Sequence, residues 1–216
     1  MNQVDNGMVR HLRDGWLPWD QRNQYTFGVD FGQSKNYTAM AVLERHWKMA
    51  TPEEFLVSAG RAYHGEWIYR VVKLARVELG TPYTDVADWI RDEMQQVDER
   101  LKRTLVLDGT GVGTAMKDYL RMRRTNATLV NVVITGGERI GWHTDARATF
   151  ISRTELLTRL AVAVENGEFS IDAKCKEQDR LAEELRSLRR KGKPGGGVQD
   201  DLAFALALAV WWGIKR

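Results

Sequence analysis

The sequence predicts an α/β protein in which helices cover both faces of a mixed β-sheet. Three runs with strand character come first, at residues 25–31, 37–44 and 67–77. Helical and strand patterns then alternate, and the chain ends in helices. Neighbouring strands followed by β-α alternation are typical of a mixed sheet with helices packed against it.

The early runs have the composition of strands. Residues 25–31 are rich in aromatic and β-branched side chains, and Gly32 ends the run. Residues 37–44 follow after a short polar turn, which is close enough for an antiparallel hairpin. Residues 67–77 alternate apolar and polar side chains, which predicts a third strand.

The later elements follow from the spacing of apolar residues. Within residues 83–102 these recur at steps of three and four, which predicts an amphipathic helix. The other predicted elements are a strand at 103–108, a helix at 114–124, a strand at 127–135, a helix from 152 to Gly167, a helix at 176–193 and a helix at 200–212.

Length and composition indicate one folded domain. The 216 residues suit an N-terminal arm or linker remnant at 1–24 and a domain at 25–216. A single cysteine, Cys175, excludes a disulfide within the chain and a zinc site built from cysteines. The sequence has no secretory signal and no apolar run of the ~20 residues that span a bilayer. We therefore expect a cytoplasmic protein without a membrane partner.

Positive charge is concentrated in short clusters. The net charge is +3 and the pI is about 9.0. Basic side chains group at residues 100–103, 121–124 and 186–193. Solvated helix ends account for such clusters, and so does a polyanionic partner.

Acidic residues stand at the ends of apolar elements. Asp30 lies in the first strand, Asp108 ends the strand "TLVLD", and Asp200 and Asp201 open the last helix. Each alone has an ordinary explanation, since aspartate caps turns and helix starts. Together they predict a site for a hard cation, because carboxylate oxygens are preferred by magnesium and manganese.

The glycine-rich turn "DGTGVGTAMK" offers a rival interpretation as a phosphate-binding loop. Gly109, Gly111 and Gly113 precede a helix, but the spacing matches neither the Walker A pattern nor G-x-G-x-x-G. Asp108 would also repel a phosphate unless a metal ion lay between them. No ATPase motif is therefore predicted.

Four segments resemble a known family when they are taken in order. They are "GVDFGQSKNYTAMAVLE", "LGTPYTDVADWI", "LVLDGTGVGTAMKDYL" and "VQDDLAFALALAVWW". Together they resemble the nuclease domain of phage large terminase subunits, over residues 25–212. The resemblance implies a ribonuclease H-like fold, related to that of Holliday-junction resolvases.

The resemblance also implies site residues. Asp30, Asp108 and Asp201 are the implied catalytic metal ligands, and Asp200 is a second ligand or the helix cap. Asp201 is preferred over Asp200 on the resemblance alone. Family members often carry histidine before this pair, where this chain has Gln199.

The implied activity is cleavage of double-stranded DNA with little sequence specificity. Two Mg2+ or Mn2+ ions would activate water and stabilise the leaving oxygen. Phosphate contacts are expected from basic side chains. These are Arg121, Arg123, Arg124, Arg153, Arg189, Arg190, Lys191 and Lys193.

Partners and alternatives follow from the same resemblance. An ATPase motor domain, a portal and a small terminase subunit are the implied partners, and an infected bacterial host is the implied setting. The alternatives are a nuclease of the Holliday-junction-resolvase type, a DNA-binding or assembly module without catalysis, and an ATPase of the actin and sugar-kinase type. The last of these needs a duplicated domain and a longer chain.

Overall fold

The computed structural model describes residues 23–32, 36–49, 65–123, 125–137, 141–143, 148–191 and 200–214. The strands are β1 (Gln24–Asp30), β2 (Ala39–Met49), β3 (Gly65–Arg76), β4 (Lys102–Asp108), β5 (Thr128–Thr135), β6 (Gly141–His143), β7 (Ala148–Ser152) and β8 (Ser170–Ile171). The helices are α1 (Tyr83–Gln95), α2 (Gly113–Met122), α3 (Arg153–Glu165), α4 (Gln178–Lys191) and α5 (Asp201–Gly213).

Within these residues the strands form an eight-stranded mixed sheet in the order β6-β7-β5-β4-β1-β2-β3-β8. β1, β4, β5 and β7 run parallel to one another, whereas β2 is antiparallel to β1 and to β3. The predicted hairpin of the first two strands is confirmed, with Asp30 opposite Ala39. The α/β class with a mixed sheet is confirmed as well.

Helices lie on both faces of the sheet, as predicted. On one face, α1 and α2 bury Ile90 and Met116 against Phe27 and Val29 of β1. On the other face, a second core cluster contains residues of α3, α4 and α5. Alternate residues of a strand point to opposite faces, so each central strand contributes to both cores.

Helix α5 lies directly on the central strand β1. Its residues 202–210 are all buried, because the sheet and the helices beside it cover the helix on every side. Gly28 allows the close approach, since a Cβ there would lie 2.1 Å from the carbonyl oxygen of Ala205. Gly213, at the other end of α5, lies beside Thr26. The helix therefore runs antiparallel to β1 and begins where β1 ends.

Two details differ from the predicted elements. The helix predicted over residues 83–102 ends at Gln95. Asp98 accepts a hydrogen bond of 3.0 Å from the amide of Arg100, which forms a turn instead. The short strands β6, β7 and β8, of three, five and two residues, were not predicted, because such segments are too short to show a period.

Some of the predicted segments lie outside the described residues. Residues 1–22 of the predicted arm and the "KPGGG" segment at 193–197 lie outside the described residues. Among the helices that are described, none has both the length and the apolar character required to cross a membrane.

Candidate metal centre

Asp30 and Asp108 end neighbouring parallel strands at the same edge of the sheet. Val29 of β1 is in register with Leu107 of β4, and both pack in the core under α1 and α2. The residues that follow them point to the opposite face, where α5 lies. The sheet therefore places Asp30 and Asp108 side by side, on the face that carries the start of α5.

Helix α5 brings Asp201 to this edge. Asp201 is its first residue, and its side chain is buried. The backbone amide of Tyr37 donates a hydrogen bond of 3.2 Å to Oδ2 of Asp201. Tyr37 lies two residues before Ala39, the residue opposite Asp30 in the hairpin. The loop that follows Asp30 thus holds the Asp201 carboxylate.

The electrostatics of Asp30 reflect this convergence of acids. Burial raises the pKa of Asp30 well above its ordinary value. The charges of Asp108, Asp201 and Asp200 raise that pKa further, in this order, whereas Arg153 lowers it. An ionised Asp30 is therefore unfavourable here unless a further positive charge is present.

The other two acids are perturbed in the same direction. Burial raises the pKa of Asp108, and hydrogen bonds from Thr110 partly oppose this rise; the amide of Thr110 lies 2.8 Å from Oδ1 of Asp108. Burial also raises the pKa of Asp201 to about 6, against the hydrogen bond from Tyr37. Three carboxyls with raised pKa values at one edge of a sheet mark a candidate functional site.

Asp200 occupies the N-cap position of α5 but does not cap it. Its side chain makes no capping hydrogen bond. It pairs instead with Arg153, whose Nη2 lies 2.5 Å from Oδ2 of Asp200 and whose guanidinium lies 4.0 Å from the ring centre of Phe204. Of the two roles expected for Asp200, a second ligand or the helix cap, the side-chain cap is wrong, because Arg153, the first residue of α3, engages the carboxylate.

Glu184 of α4 was not singled out from the sequence. Its side chain is fully buried, and Oε2 accepts a hydrogen bond of 2.9 Å from the amide of Ala203 in the first turn of α5. Burial is the main cause that raises the pKa of Glu184 to about 7. The sequence did contain one indication that Glu184 is buried. It lies at steps of three and four from Leu181 and Leu188, on the apolar face of α4.

The basic residues predicted to contact DNA fall into separate groups. Arg153 lies at the acidic edge, next to Asp200. Helix α2 leads away from Asp108 to the opposite edge, where β5 begins. Near that edge Arg123 pairs with Asp88, with 3.1 Å from Nε to Oδ1, and Arg121 lies 3.7 Å from an oxygen of Asp118. The structure therefore does not bring Arg121 and Arg123 to the acids.

The side chains of the other residues predicted to contact DNA lie outside the described part of the chain. Arg124 and Lys193 are not among the described residues, and neither are the side chains of Arg189, Arg190 and Lys191. The backbone of the last three belongs to the final turn of α4.

The acids suit a divalent cation by their chemistry. Carboxylate oxygens are hard ligands, and burial together with the neighbouring acids raises the pKa of Asp30, so that a bound cation would favour its ionised form. Across the described part of the chain, however, no three acidic, histidine or cysteine side chains are close enough to enclose one ion together. Ligation of a shared cation by Asp30, Asp108 and Asp201 therefore requires these side chains to move together, and it stays a prediction.

The raised pKa of Glu184 predicts that the metal-free protein loses stability as the pH rises. The carboxyl ionises near pH 4.5 in the unfolded chain but only at about pH 7 in the folded protein. In this interval the folded state binds more protons than the unfolded state, so the free energy of unfolding falls with increasing pH. Between pH 5 and pH 7.5, the free energy of unfolding of Glu184→Gln should fall by about 2–3 kcal/mol less than that of the wild type.

Urea denaturation of the wild type and of Glu184→Gln at pH 5 and pH 7.5, with chelator present, measures this effect. Asp30 and Asp201 contribute in the same direction and remain in both proteins, so a smaller fall should persist in the variant. An identical fall in both proteins would show that Glu184 ionises normally.

Comparison with known proteins identifies the fold. No family model and no curated protein matches the sequence. The large terminase nuclease from thermophilic phage G20c, solved with bound zinc, is similar in structure, with a TM-score of 0.51 and 19% identity over 88% of this chain and 81% of that chain.

Two structures of the nuclease domain of the large terminase subunit gp2 of bacterial virus Sf6 were also found. One is a variant with manganese and beta-thujaplicinol, with a TM-score of 0.49 and 16% identity. The other has a TM-score of 0.49 and 18% identity. In both comparisons the match covers 93% of this chain and 92% of that chain.

The chain thus has a ribonuclease H-like fold, with Asp30, Asp108 and Asp201 at the carboxyl edge of its central strands. Within that class, its fold is that of the large terminase nuclease of phage G20c. The resemblance seen in the sequence is confirmed at the level of the fold.

Proposed function

We propose that this protein is a divalent-metal-dependent endonuclease that cleaves double-stranded DNA with little sequence specificity, during packaging of a phage genome. The observation that carries the proposal is the placement of Asp30, Asp108 and Asp201 at one edge of the sheet, where burial and then the neighbouring acids raise the pKa of Asp30. The zinc bound to the phage G20c nuclease, which shares the fold, supports a divalent cation.

Each acid has a distinct role in the proposal. Asp30 ends the central strand β1 and would hold two Mg2+ or Mn2+ ions together with Asp108 and Asp201. Asp200 would join as a further ligand once released from Arg153. When bound, such ions would supply an activated water and stabilisation of the leaving oxygen.

Arg153 would serve the DNA rather than the metal. Its guanidinium is partly exposed and lies beside the acids, where it offsets their charge. A phosphate that enters the site can replace Asp200 as its partner, because guanidinium binds phosphate and carboxylate with the same geometry. Such contacts position the duplex without reading its sequence.

Supercoiled plasmid tests the proposal directly. The protein should nick and linearise it with Mn2+ or Mg2+, at many positions, and should leave it intact with chelator. Equal cutting under chelation would contradict the metal mechanism. No cutting under any condition, together with retained DNA binding, would favour a binding or assembly module. Strong preference for a four-way junction over linear duplex would favour a resolvase-type nuclease.

The last turn of α4 is the proposed approach for DNA outside the metal centre. Arg189, Arg190 and Lys191 lie one to two turns beyond Glu184, on the helix that holds the start of α5. Replacing all three by Ala should weaken duplex binding uniformly across sequences. Each lost phosphate contact should flatten the slope of log affinity against log salt by about 0.9.

Titration of a short duplex at several salt concentrations measures this slope. The matched control is the replacement of Arg121 and Arg123 by Ala, because these residues lie at the opposite edge of the sheet and are paired with acids. An unchanged slope in the α4 variant and a flattened slope in the control would place the DNA path at the α2 end instead.

A further inference from the structure

The first turn of α5 is held by a residue from another helix. The first amides of a helix lack intrahelical acceptors and need partners from elsewhere. The N-cap side chain of Asp200 is engaged with Arg153, and that of Asp201 accepts from Tyr37. The amide of Ala203 donates to Oε2 of Glu184 on α4, at 2.9 Å.

Packing alone does not account for a carboxylate at position 184. The side chain is fully buried, and its Oε1 has no hydrogen-bond partner among the described residues. Among the residues that the structure describes, the nearest cation is Arg180, whose Nε lies 3.8 Å from that oxygen. A buried carboxylate is costly unless it is paired. Leu181 on the same face of α4 is buried in this core as well, so burial there does not require a carboxylate. The contribution specific to Glu184 is therefore its hydrogen bond to Ala203.

This bond acts on the turn that carries Asp201. Ala203 follows Asp201 by two residues, so the two share the first turn of α5. Tyr37 restrains the Asp201 carboxylate from the strand side, and Glu184 restrains its backbone from the α4 side. Groups that orient a ligand in this way typically change metal affinity or activity 10–100-fold when they are removed.

We propose that Glu184 is a positioning residue, which fixes the first turn of α5 through Ala203 and so places the Asp201 carboxylate beside Asp30 for a divalent cation. The inference rests on the proposed function and deepens it. Glu184 itself touches neither the cation nor DNA in this assignment.

Titration with Mn2+ alone, followed by electron paramagnetic resonance of the free ion, tests the inference without activity. Glu184→Ala should weaken Mn2+ binding by about 10–100-fold. Glu184→Gln should restore most of the affinity, because its amide oxygen still accepts from Ala203. The control is Leu120→Ala, a buried position on the opposite face of the sheet, which should lower stability but leave Mn2+ affinity unchanged.

Amide hydrogen exchange gives an independent readout. Exchange at Ala203 should accelerate in Glu184→Ala by more than the change in global stability explains, and should stay slow in Glu184→Gln. Wild-type Mn2+ affinity in a folded Glu184→Ala protein would overturn the inference while leaving the proposed function intact. If the wild-type protein itself bound no Mn2+, the proposed function would fail, and the inference with it.

Discussion

Asp30→Asn is expected to abolish DNA cleavage while the fold is retained. The substitution removes the carboxylate on the central strand that would hold the ions in the proposed function, and with it several kcal/mol of transition-state stabilisation. A loss of about 4 kcal/mol corresponds to a fall in rate of roughly 10³-fold. The initial rate of plasmid cleavage in Mn2+, at matched protein concentration, measures this fall.

The same variant should be at least as stable as the wild type without metal. Asp108, Asp201 and Asp200 all disfavour the ionised form of Asp30, so a neutral amide relieves that repulsion at neutral pH. Added Mn2+ should raise the melting temperature of the wild type, by the linkage of binding to folding, and should have little effect on Asp30→Asn.

The control for the chemical change is Asp92→Asn. Asp92 is an exposed carboxylate of α1, the helix on the face of the sheet opposite to α5, and it is paired with Arg91 at 2.7 Å. It should leave cleavage and Mn2+ stabilisation unchanged. Wild-type activity in Asp30→Asn would show that Asp30 is not a catalytic ligand. Failure of that variant to fold would show that the carboxylate is structural.

The second large effect separates the adjacent aspartates. Asp201→Ala should reduce cleavage by about 10³-fold, on the same grounds as Asp30→Asn. Asp201→Asn serves as its companion, since the amide oxygen can still accept the hydrogen bond from Tyr37. If both variants fold and both lose activity, the charge of Asp201 is required and not only its contact with the loop.

Asp200→Ala should have a small effect by comparison. It removes an ion pair in which Asp200 and Arg153 both remain partly exposed, and such pairs contribute about 0–1 kcal/mol to stability. Its cleavage rate should fall far less than that of Asp201→Ala, because Asp200 is only a further ligand in the proposed function. Loss of activity in Asp200→Ala with retention in Asp201→Ala would exchange the two roles. Rates of plasmid cleavage and urea denaturation of each variant decide between these outcomes.

Several features of the fold were predictable because they are local in the chain. The composition of residues 25–31 and the short turn after Gly32 predicted β1 and its hairpin with β2, which the structure confirms. The uniformly apolar stretch after Asp201 predicted a buried final helix. Periodicity reports such elements because burial repeats with the geometry of the helix or strand.

Acidic residues at element ends were also visible in the sequence, but their mutual placement was not. Asp30 and Asp108 stand 78 positions apart in the chain, and they become neighbours because β1 and β4 pair in parallel register. Asp201 joins them because the close contact at Gly28 allows α5 to lie on β1. Chain spacing carries no information on such pairings, whereas the order of strands in the sheet decides them.

What the sequence by itself determined was the α/β class, most of the elements and the residue types that can hold a cation. Only the tertiary structure decided which charges meet. It paired Asp200 with Arg153, directed Glu184 to the amide of Ala203, and kept Arg121 at the edge opposite the acids. The physical reason is that helix amides and buried charges take whichever partner the neighbouring element presents, and that partner is set by packing across the sheet.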